Sequence, residues 1–313
     1  MVNNNVNIEA LNKEKTSIAR LSIISNAMLV ALKLAVGIMI GSVSVISEAI
    51  HSGIDLVAAI IAYFSVRQSS RPPDAEHAFG HGKIENVSGA VEAVLIFVAA
   101  GLIIWEAYNK LVHGVEIEDV SLGIAVMLIS VVANYFVSQK LLQTAKRTDS
   151  IALEADGWHL RTDVLTSLGI FAGLVAIKLT GIAILDPILA ILVALFILKA
   201  AFDLTIKSVK DLLDIKLPTE EEDEIKRIIA DHSASYVEFH ELRTRKSGSD
   251  RFVDLHLVVH KKLSVEEAHI LSDHIESDIK ERFPRASVII HIEPCKEMGA
   301  NCKVCDGENA NVQ

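Results

Sequence analysis

The sequence predicts a polytopic α-helical membrane protein: six transmembrane helices followed by a C-terminal α-β-β-α-β domain on the cytoplasmic side. Three observations carry this. Of 313 residues, 51% are hydrophobic and the mean hydropathy is +0.39, too apolar for an ordinary soluble domain. The apolar stretches before residue 210 exceed the roughly 18–20 residues needed to cross a bilayer as a helix. From about residue 211 the chain turns charged and shows helix and strand patterning on a smaller scale.

The first span is expected at about 18–40 and the second at about 45–66, joined by the tight loop Gly41-Ser42-Val43-Ser44. Arg67-Gln68-Ser69-Ser70-Arg71-Pro72-Pro73 breaks the pattern, because two prolines cannot continue a helix. The third span covers about 84–112, the fourth about 119–142 and the fifth about 151–179, with Gly181 turning the chain. Asp186-Pro187 opens the sixth, which ends near 207. Lys and Arg cluster in the N-terminal segment, the 67–83 loop, the Lys140–Arg147 connection and the exit at Lys207 and Lys210, whereas the alternate loops are nearly free of them. That asymmetry puts both termini in the cytoplasm.

The soluble part opens at Pro218-Thr219 with a charged amphipathic helix for which Thr219 is the expected N-cap. Strands follow at Tyr236–Arg245 and Arg251–Val259, around the turn Lys246-Ser247-Gly248-Ser249. Ser264-Val265-Glu266-Glu267 reads as a capping box for a helix to about Phe283, and Ser287–Ile292 is the last strand. The expected division is an N-terminal cytoplasmic segment (1–16), a transmembrane domain (17–209), a metallochaperone-like α/β domain (210–294) and a cysteine-containing tail (295–313). No cleavable signal peptide is evident, since the start is Asn-rich, with Lys13, Lys15 and Arg20 at the entry to the first span. The net charge of −10 argues against a nucleic-acid partner, and Cys295, Cys302 and Cys305, confined to the tail, form no disulfide framework.

One spacing recurs inside the apolar segments. His51-Ser52-Gly53-Ile54-Asp55 in the second span and His159-Leu160-Arg161-Thr162-Asp163 in the fifth both read His-x-x-x-Asp. Residues four apart share a helical face, so each span presents an imidazole with a carboxylate. Counted at 1.5 Å per residue, His51 and Asp55 lie roughly 18–24 Å from the cytoplasm, and His159 and Asp163 roughly 17–22 Å. Ionisable groups at that depth are costly and mark pathways. Together the four make a His2Asp2 set suited to Zn2+ or a similar divalent metal.

Lesser constellations accompany it. Asp74, His77 and His81 fall within eight residues of the cytoplasmic break, where Gly80 and Gly82 allow the backbone to bend. His240, His256 and His291 sit on strands, Glu293 shares a face with His291, and His269 lies on the helix between them. Asn26 and Asn134 are expected as interhelical hydrogen bonders and Trp105 and Trp158 as interface or packing aromatics; Cys302-x-x-Cys305 has the spacing of half a zinc-type pair but is expected as an unpaired reduced tail.

The six spans, the two His-x-x-x-Asp motifs, Phe79-Gly80-His81-Gly82-Lys83 after the second span and the terminal α-β-β-α-β domain resemble the cation diffusion facilitator family over about residues 17–294. The resemblance implies a homodimeric, proton-coupled antiporter that exports divalent cations from the cytoplasm across the cell membrane of a prokaryote. It implies that His51, Asp55, His159 and Asp163 form the transport site and that Asp74, His77 and His81 form a loop site. It gives His240, His256, His269, His291 and Glu293 to a binuclear site that bridges the dimer in some members, with Glu293 standing where Asp is familiar. Lys83 and Asp214 match positions that pair near the membrane surface to join the dimer. Zn2+ is the expected cargo, with Cd2+, Co2+ and Fe2+ as alternatives. The competing expectation is a membrane metal sensor that does not transport. An enzyme is not expected, because His-Glu-x-x-His is absent and the paired faces offer no general base.

Overall fold

The computed structural model describes residues 2–40, 43–113, 121–180 and 184–295. The loops around Gly41, 114–120 and Gly181, the side chains of Glu48 and Asp186, and the Cys302–Cys305 tail lie outside the described residues. The chain divides into two compact units, one of them Ala10–Leu212 and the other beginning at Leu213.

Six long helices precede that division: α1 (Val2–Ile40), α2 (Val43–Ser69), α3 (Lys83–His113), α4 (Ser121–Thr148), α5 (Ile151–Thr180) and α6 (Leu185–Leu212). Among the described residues, five of them are long and apolar enough to cross a membrane. The other, α5, has 30 residues and carries Glu154, Asp156, Arg161 and Asp163 in its first half, and side chains of its second half lie outside the described residues. The helices overrun the expected spans where their ends become polar. α1 starts at Val2 rather than near 18, and α4 runs to Thr148 rather than near 142. Lys146 and Arg147 suit the last turn of α4 through the helix dipole, and Arg147 pairs with Glu14 of α1. The apolar stripe sets where lipid begins; it does not set where the helix ends.

α5 is the shared partner of two cores. On one side Ala152, Leu153 and Leu160 pack with Ala19, Val66, Val137 and Leu141. On the other Ile151 and Ala155 pack with Ala93, Ile96, Ala100, Ile197 and Ala201. The abundance of alanine lets backbones approach closely, as membrane helix contacts require. Gly157 shows the limit: a Cβ there would meet Leu142 Cδ2 at 2.9 Å. The outer faces stay apolar and exposed, as at Val98, Leu102, Phe136 and Phe196.

The second unit contains α7 (Thr219–Asp231), β1 (Glu238–Ser247), β2 (Asp250–Val259), α8 (Val265–Arg282) and β3 (Ala286–Pro294). The sheet order is β1-β2-β3, with β1 antiparallel and β3 parallel to β2. Val253, Leu255, Leu257 and Val288 face Ile225 and Ile229 of α7 and Leu271, Ile275 and Ile279 of α8, so both helices cover one face of the sheet. The capping box of α8 forms, Ser264 Oγ accepting from Glu267 N at 3.2 Å while Glu267 Oε2 accepts from Ser264 N at 2.8 Å. The expected cap of α7 does not: Pro218 occupies the N-cap position with no side-chain bond, and Thr219 is already helical. Glu220, Glu221 and Glu222 in that first turn suit the positive end of the helix dipole instead.

Candidate metal centres

The helical unit brings both His-x-x-x-Asp motifs to one place. Donor atoms of His51, Asp55 and Asp163 lie within 4.8 Å of one another, and His159 Nε2 donates to Asp55 Oδ1 at 3.0 Å. Asp55 and His159 are each 5% exposed. His159 Nδ1 is buried without a hydrogen-bond partner among the described residues. The close group is His51, Asp55 and Asp163, and His159 adjoins it through Asp55; together they offer the two nitrogens and two carboxylates that suit a tetrahedral divalent ion.

A cavity of about 300 Å³ adjoins this cluster, lined by His51, Asp55 and Asp163 with Lys33 of α1, Glu106 of α3 and Asn134 of α4 among others. The lining belongs to the portions of α1, α3 and α4 distant from the 70–82 loop, as the pairing of Lys15 with Glu85 and the start of α3 at Lys83 fix the opposite end. On the loop side of the cluster two further carboxylates are fully buried, Glu92 and Asp156. Ser88 Oγ lies 3.5 Å from Glu92 Oε1. Asp156 is close enough to Asp55 to feel its charge, and Glu92 is close enough to feel that of Asp156. Ser22 lies beside Asp156, outside hydrogen-bond geometry. Lys33, Glu92 and Asp156 escaped the sequence reading, although any charge in an apolar span was a signal that could have found them.

In the loop, donors of Asp74, His77 and His81 converge within 4.8 Å. His77 Nδ1 and His81 Nε2 reach the two Asp74 oxygens at 3.1 and 3.2 Å. Gly80 at φ 80° makes the bend, bonding its N–H to His77 O at 2.9 Å. The Asp74 carboxyl is held below the usual carboxylate range, chiefly by the His77 backbone N–H. His81 is 4% exposed, whereas Asp74 and His77 are open to solvent.

On the sheet, His240 pairs with His256 across β1/β2, and His256 with His291 across β2/β3, giving one histidine per strand in a row. This row alternates with Leu255 and Leu257, so it lies on the face that α7 and α8 leave open. Glu293 accepts from His256 Nδ1 at 2.9 Å and lies 3.7 Å from His240 and 3.8 Å from His291. The His256 bond holds the Glu293 carboxyl below its ordinary range.

Two details depart from expectation. His269 sits on α8, in the layer covering the other face, near Asp273 at 3.5 Å, so it does not join the row in its own chain. Glu241 was not foreseen: a bulge between His240 and Arg243 and a φ of 50° turn it toward His240 and His256, 3.5 Å from His256 Nε2. Lys83 Nζ reaches Leu212 O at 3.5 Å, and Asp214, also at positive φ, accepts from Arg245 at 3.3 Å.

Comparison with known proteins agrees with both units. Residues 19–213 match the cation efflux transmembrane domain, and residues 217–295 match the cation efflux protein cytoplasmic domain. An uncharacterized transporter of Synechocystis is 35% identical over 89% of this chain and 90% of its own length. The cation-efflux pump FieF of Yersinia pestis is 33% identical over 82% of this chain and 84% of its own. A solved structure of CzrB in a zinc form is 36% identical over 27% of this chain and 97% of that one, with a TM-score of 0.25. The chain is a multi-pass membrane protein of the cation diffusion facilitator family, and its business is metal cation efflux.

Proposed function

We propose that this transporter is a homodimeric proton-coupled antiporter that carries Zn2+ out of the cytoplasm through the cell membrane, with both termini cytoplasmic. The observation that carries the reading is the bond from His159 Nε2 to Asp55 Oδ1, made by the same atoms that would hold the ion. A proton and a metal compete for that pair, since metal ligation requires neutral imidazole and free carboxylate. Imidazole is also the side chain that titrates nearest neutrality. Metal binds when the site faces a neutral cytoplasm and leaves when protons enter from the opposite side.

His51, Asp55, His159 and Asp163 are the transport ligands in this reading. The nitrogen-containing set favours Zn2+ over Mn2+ or Mg2+, which take oxygen shells. Asp74, His77 and His81 form a loop site, and the His240–His256–His291 row with Glu293 holds Zn2+ in the soluble domain. There a second protomer is the source of His269, whose own row is out of reach. The open sheet face, Lys83 and Asp214 are the natural dimer contacts.

Purified protein in liposomes tests the reading. Zn2+ uptake driven by an acid interior, and weaker with no gradient, is expected; uptake indifferent to the imposed pH difference would exclude proton coupling.

A further inference from the structure

Lys33 is the residue that the four-ligand account leaves unexplained. It lies in the apolar run Met28–Ile38 of α1, yet is 4% exposed. A lysine this near a helix end ordinarily extends its ammonium to the membrane surface. Here Nζ turns inward and donates to Ser52 Oγ at 2.7 Å. Ser52, 6% exposed, stands between His51 and Asp55 on α2, one turn from the carboxylate. Lys33 and Ser52 line the same cavity as His51, Asp55 and Asp163.

The formal charge of that cavity is informative. With its histidines neutral, three carboxylates (Asp55, Asp163, Glu106) and one ammonium (Lys33) leave −2, which one divalent cation balances. Replacing Lys33 by a neutral residue leaves −3. Opposite charges a few ångströms apart in a poorly solvated wall attract far more strongly than in water, so the excess would hold the cation in place.

We propose that Lys33 is a specificity-determining residue of the transport site, a tethered cation that keeps metal binding weak enough for release. The inference rests on the transport role proposed for the four ligands. Its ammonium competes with the metal for the cavity's negative charge without ligating it. The Ser52 bond holds that charge in the cavity that Asp55 also lines. An exporter needs this compromise, because a site that binds too tightly turns over slowly.

The test uses purified full-length protein carrying Lys33→Met, Lys33→Gln or Lys33→Arg, each with and without Asp55→Ala. Zn2+ binding that depends on Asp55 isolates the bundle site from the loop and the soluble domain. Both neutral variants are expected to bind Zn2+ about tenfold more tightly, the order expected for one unit charge at this range. In liposomes their KM and kcat should both fall, and Lys33→Arg should restore both. Lys33→Gln can keep a bond to Ser52, so it covers the case in which Lys33→Met does not fold. Unchanged or weaker Asp55-dependent binding in the neutral variants would overturn the proposal and leave the transport reading standing. Zn2+ binding and flux that persist after Asp55→Ala would overturn the transport reading, and this proposal with it.

Discussion

The two ends of the helical unit handle charge in opposite ways. At the end beside the 70–82 loop, charge is buried and bonded to other protein groups. Lys15 Nζ meets Glu85 Oε1 at 2.6 Å with both side chains 1% exposed, Ser69 Oγ adds a bond at 2.7 Å, and Ser150 Oγ donates to the second oxygen. Asn86 Nδ2 reaches Asp211 at 3.0 Å alongside. Toward the other end the charges of Lys33, Glu106, Asp55 and Asp163 line the cavity. A buried ion pair is weak evidence for stability, since desolvation offsets most of the attraction. Its effect here is to tie α1, α2, α3 and the entry to α5 into one arrangement. Among the described residues, the cavity side keeps its charges around a void, while the loop side bonds its charges to one another.

The largest expected effect comes from removing the destination of the open end. Asp55→Ala or Asp163→Ala should lower Zn2+ flux in liposomes by at least about 100-fold, since each removes one of the four proposed ligands and its charge. Flux near that of the unaltered protein would show that the cavity leads to something other than the transported ion. The closed end is broken by Glu85→Ala, which leaves the Lys15 ammonium buried without this carboxylate. Loss of one partner of a buried pair costs about 3–5 kcal/mol, read as a fall in unfolding temperature of the purified protein. The double replacement Lys15→Met/Glu85→Met should recover most of the loss, because an apolar pair of similar volume has no charge to desolvate. A double variant as unstable as Glu85→Ala would assign the effect to packing around Ser69 and Ser150.

That contrast between ends was only half legible in the sequence. The open end rests on His51, Asp55, His159 and Asp163, whose four-residue spacing is a property of one helix at a time and therefore visible in the chain. The closed end rests on Lys15 and Glu85, 70 residues apart, and no periodicity links them. The soluble domain divides in the same way. His291 and Glu293 share a face because strands alternate, and the sequence is enough to see that. Glu241 reaches His256 only because the pairing register shifts between His240 and Arg243 and its φ turns positive, which depends on the neighbouring strand. His269 lies on α8, outside the row of its own chain, and layer assignment is a tertiary fact. Thr219 has the right chemistry for a cap, one residue late, because the backbone at Pro218 already holds the N-cap position.

Accessibility sharpens the comparison directly. In a background with Cys295, Cys302 and Cys305 replaced by serine, Ser167→Cys lies on the cavity wall and Ser22→Cys is fully buried on the loop side. Ser167→Cys should react at least about tenfold faster with a membrane-impermeant thiol reagent, because thiol chemistry follows exposure. Equal rates would mean that both ends open to solvent.

The smallest effect on transport belongs to the soluble domain, whose histidine row is on other residues than the proposed transport ligands. His256→Ala removes the donor that bonds Glu293 and leaves His240 and His291 without their central neighbour. Zn2+ bound by the domain should fall while flux drops only a few-fold, since the four bundle ligands are intact. Acid should reproduce part of this loss. The Glu293 carboxyl lies below its ordinary value through its bond from His256. What that bond contributes to folding is therefore present above the unfolded carboxyl value of about 4.3 and disappears as pH falls through the lowered folded value. Metal should leave earlier, because only neutral imidazole ligates and protons compete with the ion for it. Titrating bound Zn2+ against pH in the full-length protein and in His256→Ala separates the two steps. In the unaltered protein the domain's share of the metal should be lost at a higher pH than any change in folding. If metal loss and unfolding coincide near pH 4, the ion and Glu293 act as one structural unit, and the soluble domain is held together by its metal.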